Sequence, residues 1–94
     1  MTQSHLSHLA CPACGSTADA DVPQNLCACG SPFLARYDLE RLAATSSFDA
    51  MTARPPSLWR YRELLPVRDD AHVVTLGEGM TPLTPLPRLG AALG

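Results

Sequence analysis

The sequence predicts a small β-rich ribbon folded around two cysteine pairs, followed by a linker, one short helix and an extended arm. Three observations carry this. Cys11-Pro12-Ala13-Cys14-Gly15 and Cys27-Ala28-Cys29-Gly30 place four thiols in two tight pairs. Residues 43–56 are rich in small and polar side chains and close on Pro55-Pro56, the composition of a stiffened linker. Pro82, Pro85 and Pro87 fall within Met80–Pro87, which forbids a helix and a central strand there.

The ribbon is expected over residues 1–42. Two residues separate Cys11 from Cys14, so both sulfurs can converge on one ion across a turn. Gly15 and Gly30 follow their pairs, where a knuckle often needs positive φ to face backbone amides toward a thiolate. Cys27 and Cys29 stand one residue closer than in the usual knuckle. The stretch between Cys14 and Cys27 allows a hairpin-like excursion that returns the second pair to the first. Four thiolates complete a tetrahedral shell, and Zn²⁺ is their usual occupant. The expected ligands are Cys11, Cys14, Cys27 and Cys29, and the expected role is structural, because a closed shell has no position for water or substrate. Iron held as in rubredoxin has the same ligand set, although the shortened second pair counts against it. Two disulfides would need an oxidising compartment, and a Cys11–Cys14 redox pair would leave Cys27 and Cys29 unexplained.

Phe33, Ala35 and Tyr37 alternate with Leu34 and Arg36, the pattern of a short strand leaving the second knuckle. Tyr37–Leu42 begins a helical turn. His5 and His8 precede Cys11 at three-residue intervals; with the shell already complete they are read as mobile terminal side chains. The linker spans 43–56, and residues 57–94 form the third stretch. Ser57 is placed as the N-cap of a helix running to Leu65, with Leu58, Tyr61 and Leu65 on its docking side. Pro66 stops it. His72–Leu76 is a β-branched run expected to form a strand, with His72 at a solvent edge. Glu78, between Gly77 and Gly79, is a turn residue. The remainder is an extended arm, and Leu89–Gly94 supplies no closing element.

Composition narrows the class. Phe33, Phe48, Trp59, Tyr37 and Tyr61 make up an aromatic content of 5%, so little apolar area is available and a metal staple makes energetic sense. Net charge is −2, without a basic stripe, which argues against nucleic-acid and anionic-membrane partners. No apolar run has transmembrane length, and the N-terminus lacks the basic start and apolar stretch of a signal peptide. A reducing cytoplasm is the expected location, where clustered cysteines are more often metal ligands than disulfides. All seven basic residues are arginine. No chemistry that needs a lysine amine can come from this chain.

Pro56-Ser57-Leu58-Trp59-Arg60-Tyr61-Arg62-Glu63-Leu64-Leu65-Pro66-Val67 and Val74-Thr75-Leu76-Gly77-Glu78-Gly79-Met80-Thr81-Pro82-Leu83 resemble the N-terminal region of threonine synthases. The two cysteine pairs running into Tyr37-Asp38-Leu39 fit the same family. The resemblance covers nearly all of residues 11–90. It implies a parent of pyridoxal-phosphate fold type II, with two α/β domains, that converts O-phosphohomoserine and water to threonine and phosphate. In such a parent a lysine holds the cofactor as a Schiff base and a glycine-rich loop cradles its phosphate. Neither feature can be placed here: lysine is absent and Gly77-Glu78-Gly79 is too short. No catalytic or cofactor-binding residue carries over, and the chain by itself is expected to be inactive. It is expected to be the ribbon and opening segment of a truncated catalytic domain. Its partner would be the remainder of that domain, in the same parent chain or a complementary one, and a homo-oligomeric parent is compatible with this. A free-standing zinc-ribbon adaptor for protein or nucleic acid is the competing class.

Overall fold

Leu6–Ala10 lies directly before the first knuckle and forms the central strand, β1. The computed structural model describes residues 3–94, so Met1 and Thr2 of the expected ribbon lie outside the described residues. β1 pairs antiparallel with β2 (Thr17–Ala18) on one side and β3 (Leu34–Tyr37) on the other, giving the order β2-β1-β3. Leu9 faces Ala18 across one ladder and Ala35 across the other. Between Leu6↔Tyr37 and His8↔Arg36 the register slips: Ser7 is an extra residue, a bulge that locally disrupts the ladder. The expected β3 is present one residue later than anticipated. The central strand lies in the terminal stretch expected to be mobile. His5 is in fact buried and His8 half-buried.

Asp38 caps α1 (Leu39–Thr45) by accepting from the Arg41 amide at 2.9 Å. Ser47 caps α2 (Phe48–Thr52) by accepting from the Ala50 amide at 3.1 Å. Residues 43–56 thus contain the end of one helix and all of another. Both are short and rest on side-chain caps that satisfy orphan N–H groups.

Leu58–Leu64 is a 3₁₀ helix broken at Tyr61 (φ −99°, ψ 36°), not the regular helix expected, and Ser57 makes no side-chain cap. The break turns a different face inward. Tyr61 is exposed, while Arg62 and Glu63 are buried at 6% and 2% exposure. Their charge is met locally. Arg62 donates to the Val67 carbonyl and lies 3.3 Å from Asp70, with its guanidinium 6.0 Å from the Trp59 ring centroid. Glu63 takes a two-pronged contact from Arg54, at 2.5 and 2.8 Å.

His72–Leu76 is not a strand. Asp70–His72 is a 3₁₀ turn capped by Asp69, and the chain then runs on without a ladder. A β-branched run with no neighbouring strand has nowhere to place its N–H and C=O groups in a sheet. Trp59 Nε1 instead donates to the Val74 carbonyl at 3.2 Å. Residues 81–86 carry neither helix nor strand, but a helix, α3 (Pro87–Leu93), does start on the last of the three prolines and ends the arm. Pro87 sits at its first turn, where its missing N–H costs nothing.

The segment before the cysteines ties these parts together. Ser4 Oγ donates to the Leu65 carbonyl at 2.5 Å, and the His5 amide donates to the Glu63 carbonyl at 2.8 Å. Asp38 N–H reaches the His5 carbonyl at 2.9 Å. Arg68 donates to the Leu6 carbonyl and, through two nitrogens, to the Asp21 carboxylate. Ribbon and C-terminal stretch are therefore joined by hydrogen bonds and by the Asp21–Arg68 ion pair. Among the described residues the buried apolar side chains are Leu6, Cys11 and Cys27 alone. The radius of gyration is 18.0 Å, against about 12 Å for a compact chain of this length. Leu76, Leu83, Leu86, Leu89 and Leu93 are all exposed, Leu83 completely.

Candidate metal centre

Each cysteine pair sits on a tight backbone turn. The Cys11 amide bonds the Ser16 carbonyl at 2.8 Å and the Gly15 amide returns to the Cys11 carbonyl at 3.0 Å. The Cys14 N–H points at Cys11 Sγ, 3.5 Å away. The second turn repeats the plan: Cys27 N–H to Ser31 O at 3.0 Å and Gly30 N–H to Cys27 O at 2.8 Å, with Leu26 bridging Pro32. Gly15 and Gly30 have φ of +78° and +91°, and a Cβ on either would meet open space. Glycine is needed there for its backbone conformation.

The two turns bring all four Sγ atoms within 4.8 Å of one another. Cys11–Cys29 and Cys14–Cys27 both approach to 3.5 Å. Four sulfurs about 2.3 Å from one tetrahedral ion would be spaced by about 3.8 Å, so the donor set fits a metal ion. Cys11 and Cys27 are buried; Cys14 and Cys29 are exposed. Among the described residues no histidine joins this group: His5 Nε2 lies 3.4 Å from Thr45 Oγ1 and His8 Nδ1 lies 2.9 Å from Ser7 Oγ.

The thiols differ in acidity. The Ser16 side chain and then its backbone amide hold Cys14 down to about 6, with smaller help from Cys27 and Cys11. Ser16 Oγ is 3.1 Å from the sulfur and is the donor once the thiolate forms. Cys29 is lowered by the Ser31 backbone, then by its side chain and by Cys11. At Cys27 the Cys29 amide favours the thiolate, but burial and hydrogen bonding with Cys14, Cys29 and Cys11 outweigh it and push the thiol up to about 11. Without an ion the cluster thus holds back protons that a divalent cation would displace.

Glu78 belongs to a different feature. Its Oε2 accepts from the Leu76 amide at 2.6 Å and from Thr75 Oγ1 at 3.4 Å, and the Gly77 amide donates to Thr75 Oγ1. The carboxylate closes its own turn, as a turn residue should. Sequence reasoning missed the Arg54–Glu63 pair and Arg68, whose partners Asp21 and Leu6 are distant along the chain. Among the described residues no helix is long and apolar enough to cross a membrane.

No protein-family model and no solved structure matches the chain. A curated relative does: the threonine synthase of Methanocaldococcus jannaschii is 38% identical over 84 residues, which cover 89% of this chain and 21% of that protein. The chain thus spans about a fifth of the length of the relative it matches. A match running through both cysteine pairs and the segment that follows them does not favour a free-standing adaptor. The chain is a homologue of a segment of threonine synthase, with a four-cysteine cluster able to hold a metal ion.

Proposed function

We propose that the chain is the N-terminal portion of a threonine-synthase-like enzyme of pyridoxal-phosphate fold type II, carrying a structural Zn²⁺ on Cys11, Cys14, Cys27 and Cys29. The observation that carries this is the 38% identity over 89% of the chain. The proposed parent reaction converts O-phosphohomoserine and water to threonine and phosphate, in the cytoplasm. In this reading residues 1–42 are the zinc ribbon, 43–56 the connection and 57–94 the opening segment of the catalytic domain. The exposed leucines of 76–93 would be covered by the remainder of that domain.

Zinc is preferred over iron because four thiolates around a redox-inert ion make a closed structural site, and the Cys27–Cys29 pair is one residue shorter than the usual knuckle. Pyridoxal phosphate does not fit this chain: a Schiff base needs a lysine amine and the sequence has none. Its chemistry would fall to the remainder of the parent.

The test is complementation. The zinc-loaded chain is mixed with a lysine-bearing polypeptide corresponding to the rest of a threonine synthase, and phosphate release from O-phosphohomoserine is followed. Neither part alone should release phosphate, and the mixture should. Release by this chain alone, or no gain on mixing when the two demonstrably associate, would overturn the reading. Salt-sensitive nucleic-acid binding would point to the adaptor class instead.

A further inference from the structure

Each exposed cysteine of the cluster faces one buried cysteine from the opposite knuckle. Cys14 lies 3.5 Å from Cys27, and Cys29 lies 3.5 Å from Cys11. A disulfide bond is about 2.05 Å long, so each pair needs only a short approach once no ion holds the sulfurs apart. Pairing within the knuckles is less favourable. Cys27 and Cys29 are separated by a single residue, too short for an unstrained bridge, so a Cys11–Cys14 disulfide would strand them. At the first turn the Cys14 amide occupies the approach to Cys11 Sγ.

The geometry points to a peroxide-oxidisable modification site in which Cys14 and Cys29 are attacked and Cys27 and Cys11 resolve them, giving two cross-knuckle disulfides and expelling the metal. This builds on the metal-site reading above. Hydrogen peroxide is the oxidant. The exposed thiolate attacks one peroxide oxygen, the O–O bond breaks, and the departing hydroxide takes a proton to become water. The product is a sulfenic acid. The buried partner's sulfur then attacks that sulfur, the S–O bond breaks and a second water leaves with the partner's proton. Each disulfide consumes one peroxide, with two electrons passing from two sulfurs to oxygen. Disulfide sulfurs are poor ligands, so the ion is lost, and reduction by a dithiol restores the four thiols.

The cross-links also fix what is lost. Cys11–Cys29 and Cys14–Cys27 are nested, so both turns stay joined after the ion departs. The oxidised chain should retain the β2-β1-β3 sheet, and reloading after reduction should be rapid.

The experiment first measures metal content of the reduced chain, then adds peroxide stepwise while a chromogenic chelator reports released ion. The product is cut on the N-terminal side of aspartate without reduction. Cleavage before Asp19 and Asp21 separates the knuckles, so cross-knuckle bridges keep Met1–Ala18 and Asp21–Tyr37 linked. The expected result is one ion released per two peroxides, linked peptides with Cys11–Cys29 and Cys14–Cys27 assigned by fragmentation, and full recovery of metal binding with dithiol. Separated peptides carrying Cys11–Cys14, the pairing Cys11–Cys27 with Cys14–Cys29, or irreversible sulfinic acids would overturn it. A chain that binds no metal would sink the metal reading alone. The metal-free Cys11→Ser/Cys29→Ser variant then still decides the pairing, since it must form Cys14–Cys27 faster than Cys27→Ser/Cys29→Ser forms Cys11–Cys14.

Discussion

Gly79 lies against the backbone of Leu58: a Cβ added to Gly79 would fall 2.8 Å from the Leu58 nitrogen and 3.1 Å from its Cα. Two sequence strings that carry the family resemblance are thereby in contact, with the Trp59–Val74 hydrogen bond beside them. Gly77 has nearly the same φ, +79° against +78°, but nothing within 4 Å of its would-be Cβ. The two glycines therefore separate backbone strain from contact. Gly77→Ala should cost roughly 1–2 kcal/mol locally, the left-handed conformational term alone. Gly79→Ala should cost more and detach the loop from Leu58. Amide exchange across 57–60 and 76–80 reads the difference; equal effects at both positions would show that the contact contributes nothing.

Acid should open the Arg54–Glu63 contact. Hydrogen bonding from Arg54 holds the Glu63 carboxyl below the usual carboxylate range, against burial that would raise it. The folded value is depressed, so the contribution is fully present above the unfolded carboxylate value and is lost as pH falls through the folded one. Stability should therefore be flat near neutrality and decline below about pH 4.5. Glu63→Gln should flatten that decline and cost about 2–4 kcal/mol at neutral pH, because Glu63 is nearly inaccessible while Arg54 is partly solvated. An unchanged acid limb in Glu63→Gln, followed by circular dichroism, would remove Glu63 as its cause.

The metal centre should bind one ion per chain and lose it to acid or chelator, since all four donors bind as thiolates. Cobalt substitution should give the intense thiolate charge-transfer and visible bands of a tetrahedral sulfur site. Replacing any one of Cys11, Cys14, Cys27 or Cys29 by serine should weaken binding by orders of magnitude. His5→Ala and His8→Ala should leave the cobalt spectrum unchanged. A spectral shift in either histidine variant would revise the ligand set.

Asp21→Ala tests the attachment of the ribbon to the later chain. The Asp21–Arg68 ion pair is substantially solvent-exposed on both sides, and such pairs contribute about 0–1 kcal/mol. The variant should stay folded, with increased exchange confined to residues 19–24 and 67–70. Arg68→Ala also removes the donor to the Leu6 carbonyl, so it should loosen the end of β1 as well.

The knuckles were legible because their chemistry is local: two cysteine pairs, each followed by glycine, specify turn and donor set within a few residues. The caps at Asp38 and Ser47 are equally local, yet the small-residue composition of 43–56 masked the helices they start. Leu6–Ala10 was missed for another reason. A five-residue strand is defined by its ladder partners, and Thr17–Ala18 and Leu34–Tyr37 lie well downstream. His72–Leu76 fails in the opposite sense, with β-favouring side chains and no partner. At Leu58–Leu65 the apolar spacing suggested one docking face, but the break at Tyr61 and the partners Arg54 and Asp70 bury charge instead. Periodicity cannot register a salt bridge to a residue outside its window.

Ser4, His5 and Leu6 leave the ribosome about sixty residues before Leu65, Glu63 and Arg68, which bond them. Once Tyr37 has emerged, every cysteine and every strand of the sheet is outside the ribosome. Vectorial synthesis therefore divides assembly into two stages. Metal can be captured on a nascent ribbon whose leading residues are still unclasped, and the clasp closes only after the segment through Arg68 emerges. A translational pause between those points would expose the metal-loaded ribbon, with its clasp open, as a discrete intermediate.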